Sequence, residues 1–371
     1  MMTRYRRWLG VWMLVLAPLK LFGQPATADK LEIIHADTMK NSRTSRGSLL
    51  ELVGNVHFKQ GTAEMFCGRA KYWKDANETI IEENVRVYDR NKLLVADRVF
   101  YYDQSQIFKA LGHVLLRDTL QQITAELVTY NKLEDRVTAE KSVVIKDSLN
   151  YIVIFGEWAE FDNRRDYARI TGQPVFIKHD STGKEEIRIT SMQMELYDGG
   201  DRAVVTDSVR IFQSKANAIC GQAEFYRTRD EIFLKIKPKA WQGSDRLSGE
   251  TIRLFIQKNR LRQAIVEGQA VVTSPVDTTG VDPRVNVLSG QQIIMLFENN
   301  ELVQVMVENQ ATSEYTIVED NEDKGRNRIV GDKITVYLAD RKIQRIVVES
   351  KPQLSVGTYF PPQLVGKQTT K

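Results

Sequence analysis

Four histidines, His35, His57, His113 and His179, are the residues best suited to hold a metal or move a proton. No His-Cys or His-Glu cluster with ligand spacing surrounds them. They read as solvated strand histidines, and neither a metal nor another cofactor is expected. Acidic residues are the second candidates: Asp97, Glu126, Glu157, Glu250 and Asp332 come in the same local setting along the chain. Two such carboxylates across a cleft would make a glycosidase. Recurrence at one position of nearly every repeat points instead to a structural ladder. No nucleophile elbow, phosphate-binding loop or dinucleotide fingerprint is present, so no enzymatic activity is expected.

The elements carrying these residues follow two alternating patterns. One is a small residue, usually an acid or amide, then alternating apolar positions. It appears as Ala96-Asp97-Arg98-Val99-Phe100-Tyr101 and Ala125-Glu126-Leu127-Val128-Thr129-Tyr130, and again from Gly156, Gly249, Gly290 and Gly331. Looser copies start at Ala36, Gly68, Ser191 and Gly221. These ten anchors are 32, 28, 29, 31, 35, 30, 28, 41 and 41 residues apart, a period near 30. The other pattern lies between them, as in Gly54-Asn55-Val56, Glu83-Asn84-Val85, Gly112-His113-Val114, Gly172-Gln173-Pro174-Val175 and Gly268-Gln269-Ala270-Val271.

Both halves alternate apolar and polar residues with period two, the signature of a half-buried strand. Clusters such as Lys74-Asp75-Ala76-Asn77 and Asp198-Gly199-Gly200-Asp201 supply the turns. The expectation is therefore an all-β, elongated, twisted V-shaped jellyroll or solenoid of about ten two-strand repeats. The polar segments Ser274–Asn286 and Ser313–Asn327 read as surface loops, and the anchor glycines as the bends between two sheets. Register places Asp97, Val99 and Tyr101 on one face, and Glu126, Val128 and Tyr130 likewise.

The inward apolar positions are Val56, Phe58, Val85, Val87, Val99, Tyr101, Val114, Leu116, Val128, Tyr130, Val143, Ile145, Ile252, Leu254, Ile334 and Val336. In a closed sandwich they are core. In a splayed one they would line a groove for acyl chains. Cys67 and Cys220 each precede an anchor glycine, five repeats apart. At one strand spacing per repeat they stand roughly 24 Å or more apart, too far for a disulfide, so two free, partly buried thiols are expected.

Arg4, Arg6 and Arg7 followed by the apolar run Trp8–Leu16 and Pro18 read as a signal peptide, residues 1–23 with cleavage there or as late as residue 28. Repeats are expected over 29–355 and a polar tail over 356–371. Residues 1–23 hold four cations and no anion, so the formal charge of +4 falls to zero without them. No basic surplus remains for nucleic acid.

The alternation of Ala-Asp-x-apolar-x-Tyr with Gly-Asn-Val after a signal peptide resembles the LptA/OstA family of lipopolysaccharide-transport proteins, from about Ala36 to Lys351. That resemblance implies a periplasmic β-jellyroll whose groove shields the acyl chains of lipid A. It also implies partners: lipopolysaccharide itself, the jellyroll domains of the transport machinery at the inner and outer membranes, and end-to-end pairing of copies. The short apolar run and the absence of a following barrel fit the soluble bridge of that machinery. A structural or adhesive β-solenoid binding no lipid is the competing reading, and a polysaccharide-processing enzyme a distant third.

Overall fold

The computed structural model describes residues 31–362, apart from 214–215, 258–259, 277–283, 300, 320–321, 340–341 and 352–354. The signal-peptide segment lies outside the described residues. Apart from one three-residue 3-10 turn at Asp198–Gly200, the described structure is strand and turn, and every strand pairing is antiparallel. The chain is all-β, as its alternation predicts. It divides into two compact units, one ending at Thr206 and one beginning at Asp207.

The building block of each unit is a bent strand. Lys92–Tyr102, for example, pairs with Glu78–Asp89 on one side and Ile107–Arg117 on the other, and both ladders skip at the middle. The skip is a two-residue bulge in which consecutive residues take positive φ: Gly112 (74°) with His113 (48°), Glu83 (70°) with Asn84 (56°). Nine such pairs recur among the described residues, beginning at 54, 83, 112, 141, 172, 207, 236, 268 and 309. The second sequence pattern is thus the corner of the fold. A bulge breaks the pleat and turns the strand, so the residues on either side belong to two half-sheets.

In the N-terminal unit the half-sheet following the small-acid pair carries the inner ladder Leu52, Ala70, Ile81, Val99, Ala110, Val128, Ala139, Ala159, Ile170, Met194 and Val205, all buried. The second half-sheet contributes Phe58, Met65, Val87, Leu94, Leu116, Ile123, Ile145, Ile154, Phe176 and Ile189. In the C-terminal unit the ladder Ala223, Leu234, Ile252, Val266, Ile293, Val307 and Ile334 is sealed to within 1 % exposure. Every large aliphatic residue fully buried in this way contributes about 1.5–3 kcal/mol, so these ladders hold each unit together.

Several expectations change at the corners. The anchor glycines do not make the bend: the positive φ belongs to Gly54, Gly112, Gly172 and Gly268 of the other pattern. Gly156, Gly249 and Gly290 stand opposite, and are small for lack of room. A Cβ on Gly156 would fall 2.6 Å from Ile170 Cγ1, and one on Gly249 2.6 Å from Val266 Cγ1. Register also moves by one residue in two copies. Val56 pairs with Cys67 as Val85 pairs with Ala96, so Cys67, not Gly68, is the small residue, and Cys220 takes that place before Gly221. Asp97 does not share the inner face with Val99. Both Asp97 and Arg98 are exposed while Ala96 and Val99 are buried, because the pleat is interrupted there.

Three segment assignments change as well. Ser313–Asn327 is not a loop: it lies in the long strands Glu301–Glu319 and Glu322–Ala339, paired through Ser313↔Ile329 and Thr316↔Arg326. Ser274 and Pro275 pair with Asn286 and Val285, so both ends of the other segment are strand. Val356–Phe360, placed in the tail by composition, is a strand paired with Arg326–Val330.

Candidate functional site

All sixteen inward positions named from the sequence face the interior of their unit. Val56, Phe58, Val85, Val99, Val114, Leu116, Val128, Val143, Ile145, Ile252, Ile334 and Val336 are buried, while Val87, Tyr101, Tyr130 and Leu254 are half-buried. The difference follows distance from the corner. The next ladder outward on the first half-sheet of the N-terminal unit runs Leu50, Tyr72, Thr79, Tyr101, Phe108, Tyr130, Val137, Phe161, Ala168, Leu196 and Ala203. Its first part forms an open lip and its last part is closed: Tyr72 is 37 % and Phe108 36 % exposed, against 2 % for Phe161 and 4 % for Leu196.

The open lip is aromatic and stacked. Tyr101 and Phe108 lie 4.3 Å apart by ring centroid, Phe108 and Tyr130 6.4 Å. Tyr101 Oη donates to Asp103 Oδ1 (2.9 Å) and accepts from Gln106 Nε2 (3.0 Å). Partial burial, then the nearby carboxylates, push the phenols of Tyr101 and Tyr130 up to about 12, so both remain neutral hydrogen-bond donors at the mouth of the interior. At the closed end, Ile145 and Ile154 of the second half-sheet meet Phe161, Ile170, Met194, Leu196 and Val205 of the first around a void of only about 20 Å³. That space is near the size of one water and too small for a chain of methylenes.

The facing lip, on the second half-sheet, is polar. Its inward positions two residues beyond the apolar ladder are Gln60, Asp89, Lys92, Gln121, Asp147 and Lys178, with Ala63, Ile152 and Ile187 as the apolar exceptions. Asp147 accepts from Asn150, and burial pulls the ammonium of Lys178 below its ordinary value. Outside, the first half-sheet is laced by ion pairs, Arg98 to Glu82 (2.9 Å) and both Arg136 (3.2 Å) and Arg169 (3.1 Å) to Glu160. The outer face is therefore committed to solvent and the apolar face to the interior.

The recurring acids sit at the corners, outside the apolar interior. Asp97 contacts His113 Nδ1 at 2.8 Å, Asp37 accepts from Asn55 Nδ2 at 3.0 Å, and Asp332 accepts from the backbone N–H of Lys351 at 3.0 Å. At six corners the two strands divide the space between them. Asp37, Asp97, Glu157 and Glu250 cover Gly54, Gly112, Gly172 and Gly268, whereas Glu83 and Ile236 on the bulge cover Gly68 and Gly221. One side chain fills each corner, and it comes from whichever strand does not carry the glycine. This is the structural ladder expected from recurrence.

The histidines are dispersed. His35 lies 3.1 Å from Asp37, His57 stacks on Phe66 at 4.3 Å, and His179 pairs across the sheet with Glu185. No group of three metal-ligating side chains occurs among the described residues. Cys67 and Cys220 are free, buried thiols, one in each unit. Sequence reasoning missed Tyr72 and Phe108 on the open lip. Tyr72 carries its signal only after the one-residue correction at Cys67, and Phe108 lies on the return strand, outside the tyrosine-ended pattern.

Bent antiparallel rungs closing over an apolar interior define an all-β repeat protein. Residues 28–161 match the family model described as OstA-like protein, so this stretch is an OstA-like domain. Among solved structures the chain is similar to LptH from Pseudomonas aeruginosa, "the LptA homologous periplasmic component of the conserved lipopolysaccharide transport device", at 16 % identity and a TM-score of 0.27, covering 37 % of this chain and 92 % of that one. No curated protein matches the chain. No helix among the described residues is long and apolar enough to cross a membrane.

Proposed function

We propose that this protein is a periplasmic carrier in lipopolysaccharide transport, shielding lipid A acyl chains between its half-sheets and handing them on to jellyroll domains at the inner and outer membranes. One observation carries the reading: outside the buried apolar interior of the N-terminal unit, within the OstA-like stretch, lies a half-exposed aromatic lip of Tyr72, Tyr101, Phe108 and Tyr130. Inside that lip the ladders offer only hydrocarbon, with Val99, Ala110 and Val128 on one side and Leu94, Leu116 and Ile123 on the other. Burial of apolar area, with no directional bonding, is what would hold a saturated chain there. No chemistry is required of the chain, and energy for transport would come from a partner.

The terminal rungs suit a bridge. Glu32–His35 and Thr38–Thr44 at one end pair only with Gly47–Gln60 among the described residues, and Val356–Phe360 at the other only with Glu322–Ala339. Free strand edges recruit further strands. A structural or adhesive solenoid finds support in the sealed stretch around Phe161 and Leu196. The two readings part on photocrosslinking in cells making labelled lipopolysaccharide. A photoreactive residue at Tyr130 should give a lipid adduct and one at outward Thr129 none; adducts from Thr129 with none from Tyr130 would remove the groove.

A further inference from the structure

The two lips of the interior differ in kind, and they differ in the same sense in both units. In the N-terminal unit the first half-sheet ends inward on Tyr72, Tyr101, Phe108 and Tyr130, the second on Asp89, Lys92 and Gln121. In the C-terminal unit the equivalent inward positions of the first half-sheet are Leu254, Met295 and Val336, and the next inward positions beyond them, Ile256, Phe297 and Leu338, are apolar as well. On the second half-sheet they are Gln242, Ser274, Asn286 and Asn327, two residues beyond Ala240, Val272, Leu288 and Ile329, with Tyr315 and Tyr359 paired to Asn327 on either side. Corner, then apolar ladder, then lip is the order on both sides; only the last step changes chemistry.

Packing alone does not ask for this. A lip that merely met solvent would be polar on both sides, and one that closed a core would be apolar on both. We infer that the interior is a polarised site for an amphiphile, with hydrocarbon laid along the first half-sheet's lip and a hydrogen-bonding head group along the second's. This rests on the lipid-carrier reading and adds to it an orientation and a set of specificity-determining residues. The occupant follows from complementarity. Amides and mixed charges such as Asp89 and Lys92 supply both donors and acceptors, which match sugar hydroxyls and phosphate oxygens. The tyrosine and aliphatic lip offers rings and methyls to the chains. An extended peptide fits poorly, because the ladders between the lips of the N-terminal unit carry no polar side chain to meet its backbone N–H and C=O groups, and that of the second half-sheet in the C-terminal unit carries one serine, Ser313.

Photoaffinity labelling of the unsubstituted full chain tests this without risk to folding. The probe is a synthetic diacyl glycolipid carrying an aryl diazirine either on the head-group sugar or at the end of one acyl chain, with adducts placed by peptide mass spectrometry. The head-group probe should label peptides holding Lys92, Gln121, Asn286 and Asn327 in several-fold excess over those holding Tyr130, Phe297 and Leu338, and the chain-end probe should reverse that preference at the lips. Equal labelling of the two lips by the head-group probe, or labelling confined to the first lip, overturns the orientation while leaving lipid binding standing. Absence of adducts at both lips with both probes overturns the carrier reading and this inference with it.

Discussion

Asp97 Oδ2 lies 2.8 Å from His113 Nδ1, tying the acid of one strand to the corner of the next. The contact is at the surface and holds the corner's second left-handed residue, so its measurable consequence is a titration more than a stability.

Hydrogen bonding to Asp97, then its charge, raises the His113 imidazolium above the ordinary value of 6.5. A group raised on folding stabilises below its unfolded pKa, and that contribution is lost as pH rises through the folded one. NMR titration should find His113 above 6.5 and Asp97→Asn should bring it back down; an unshifted His113 in the native chain refutes the pairing.

Corner chemistry predicts opposite outcomes for two substitutions. Gly112 has φ +74° and no room for a Cβ beside Asp97, so Gly112→Ala should destabilise by more than about 1 kcal/mol in denaturant melts. Lys141 holds φ 64° on an exposed corner, and Lys141→Gly should be neutral or stabilising by up to about 1 kcal/mol. Equal losses from both would mean that backbone strain does not govern the corners.

The same ring type should matter differently along one ladder. Phe161→Ala empties a sealed position and should cost about 3–5 kcal/mol. Phe108→Ala on the open lip should cost about 1 kcal/mol, the worth of its stacking on Tyr101. Similar losses in equilibrium unfolding would contradict the graded opening of the interior.

Burial pushes the Cys67 thiol up to about 12 and that of Cys220 to about 11. Neither should react with a thiol reagent at pH 8 until denaturant is added. Unfolded thiols release protons near 9.0 while the folded ones keep theirs, so stability should fall as pH rises from about 9 toward 12. Rapid labelling of the native chain would show these sites to be open.

Much of this fold is legible in the sequence because period-two alternation and a recurring small residue are local signals. What escaped is non-local. The one-residue slip at Cys67 and Cys220 arises because the glycine there answers Glu83 and Ile236, fifteen residues along the chain in each case, and only strand pairing brings them together. Ser313–Asn327 looks like a loop by composition, yet two edges of polar residues form strands when each supplies the other's hydrogen bonds. Inward residues near the corner were readable from alternation. The unlike lips were not, since lone Gln, Asn and Lys residues near turns look like any solvated turn until pairing shows which way they face.

The doubled left-handed residues at each corner also act as an indexing notch. A neighbouring strand that slipped by two residues would keep its apolar face inward but set its notch against straight backbone, so misaligned pairings are excluded that alternation alone would permit. Corrected for the slip, the small positions 36, 67, 96, 125, 156, 191, 220 and 249 recur every 29 to 35 residues. A gene encoding such units can gain or lose a whole copy without redesigning any joint, so tandem duplication offers a ready way for proteins of this build to differ in length while keeping one cross-section.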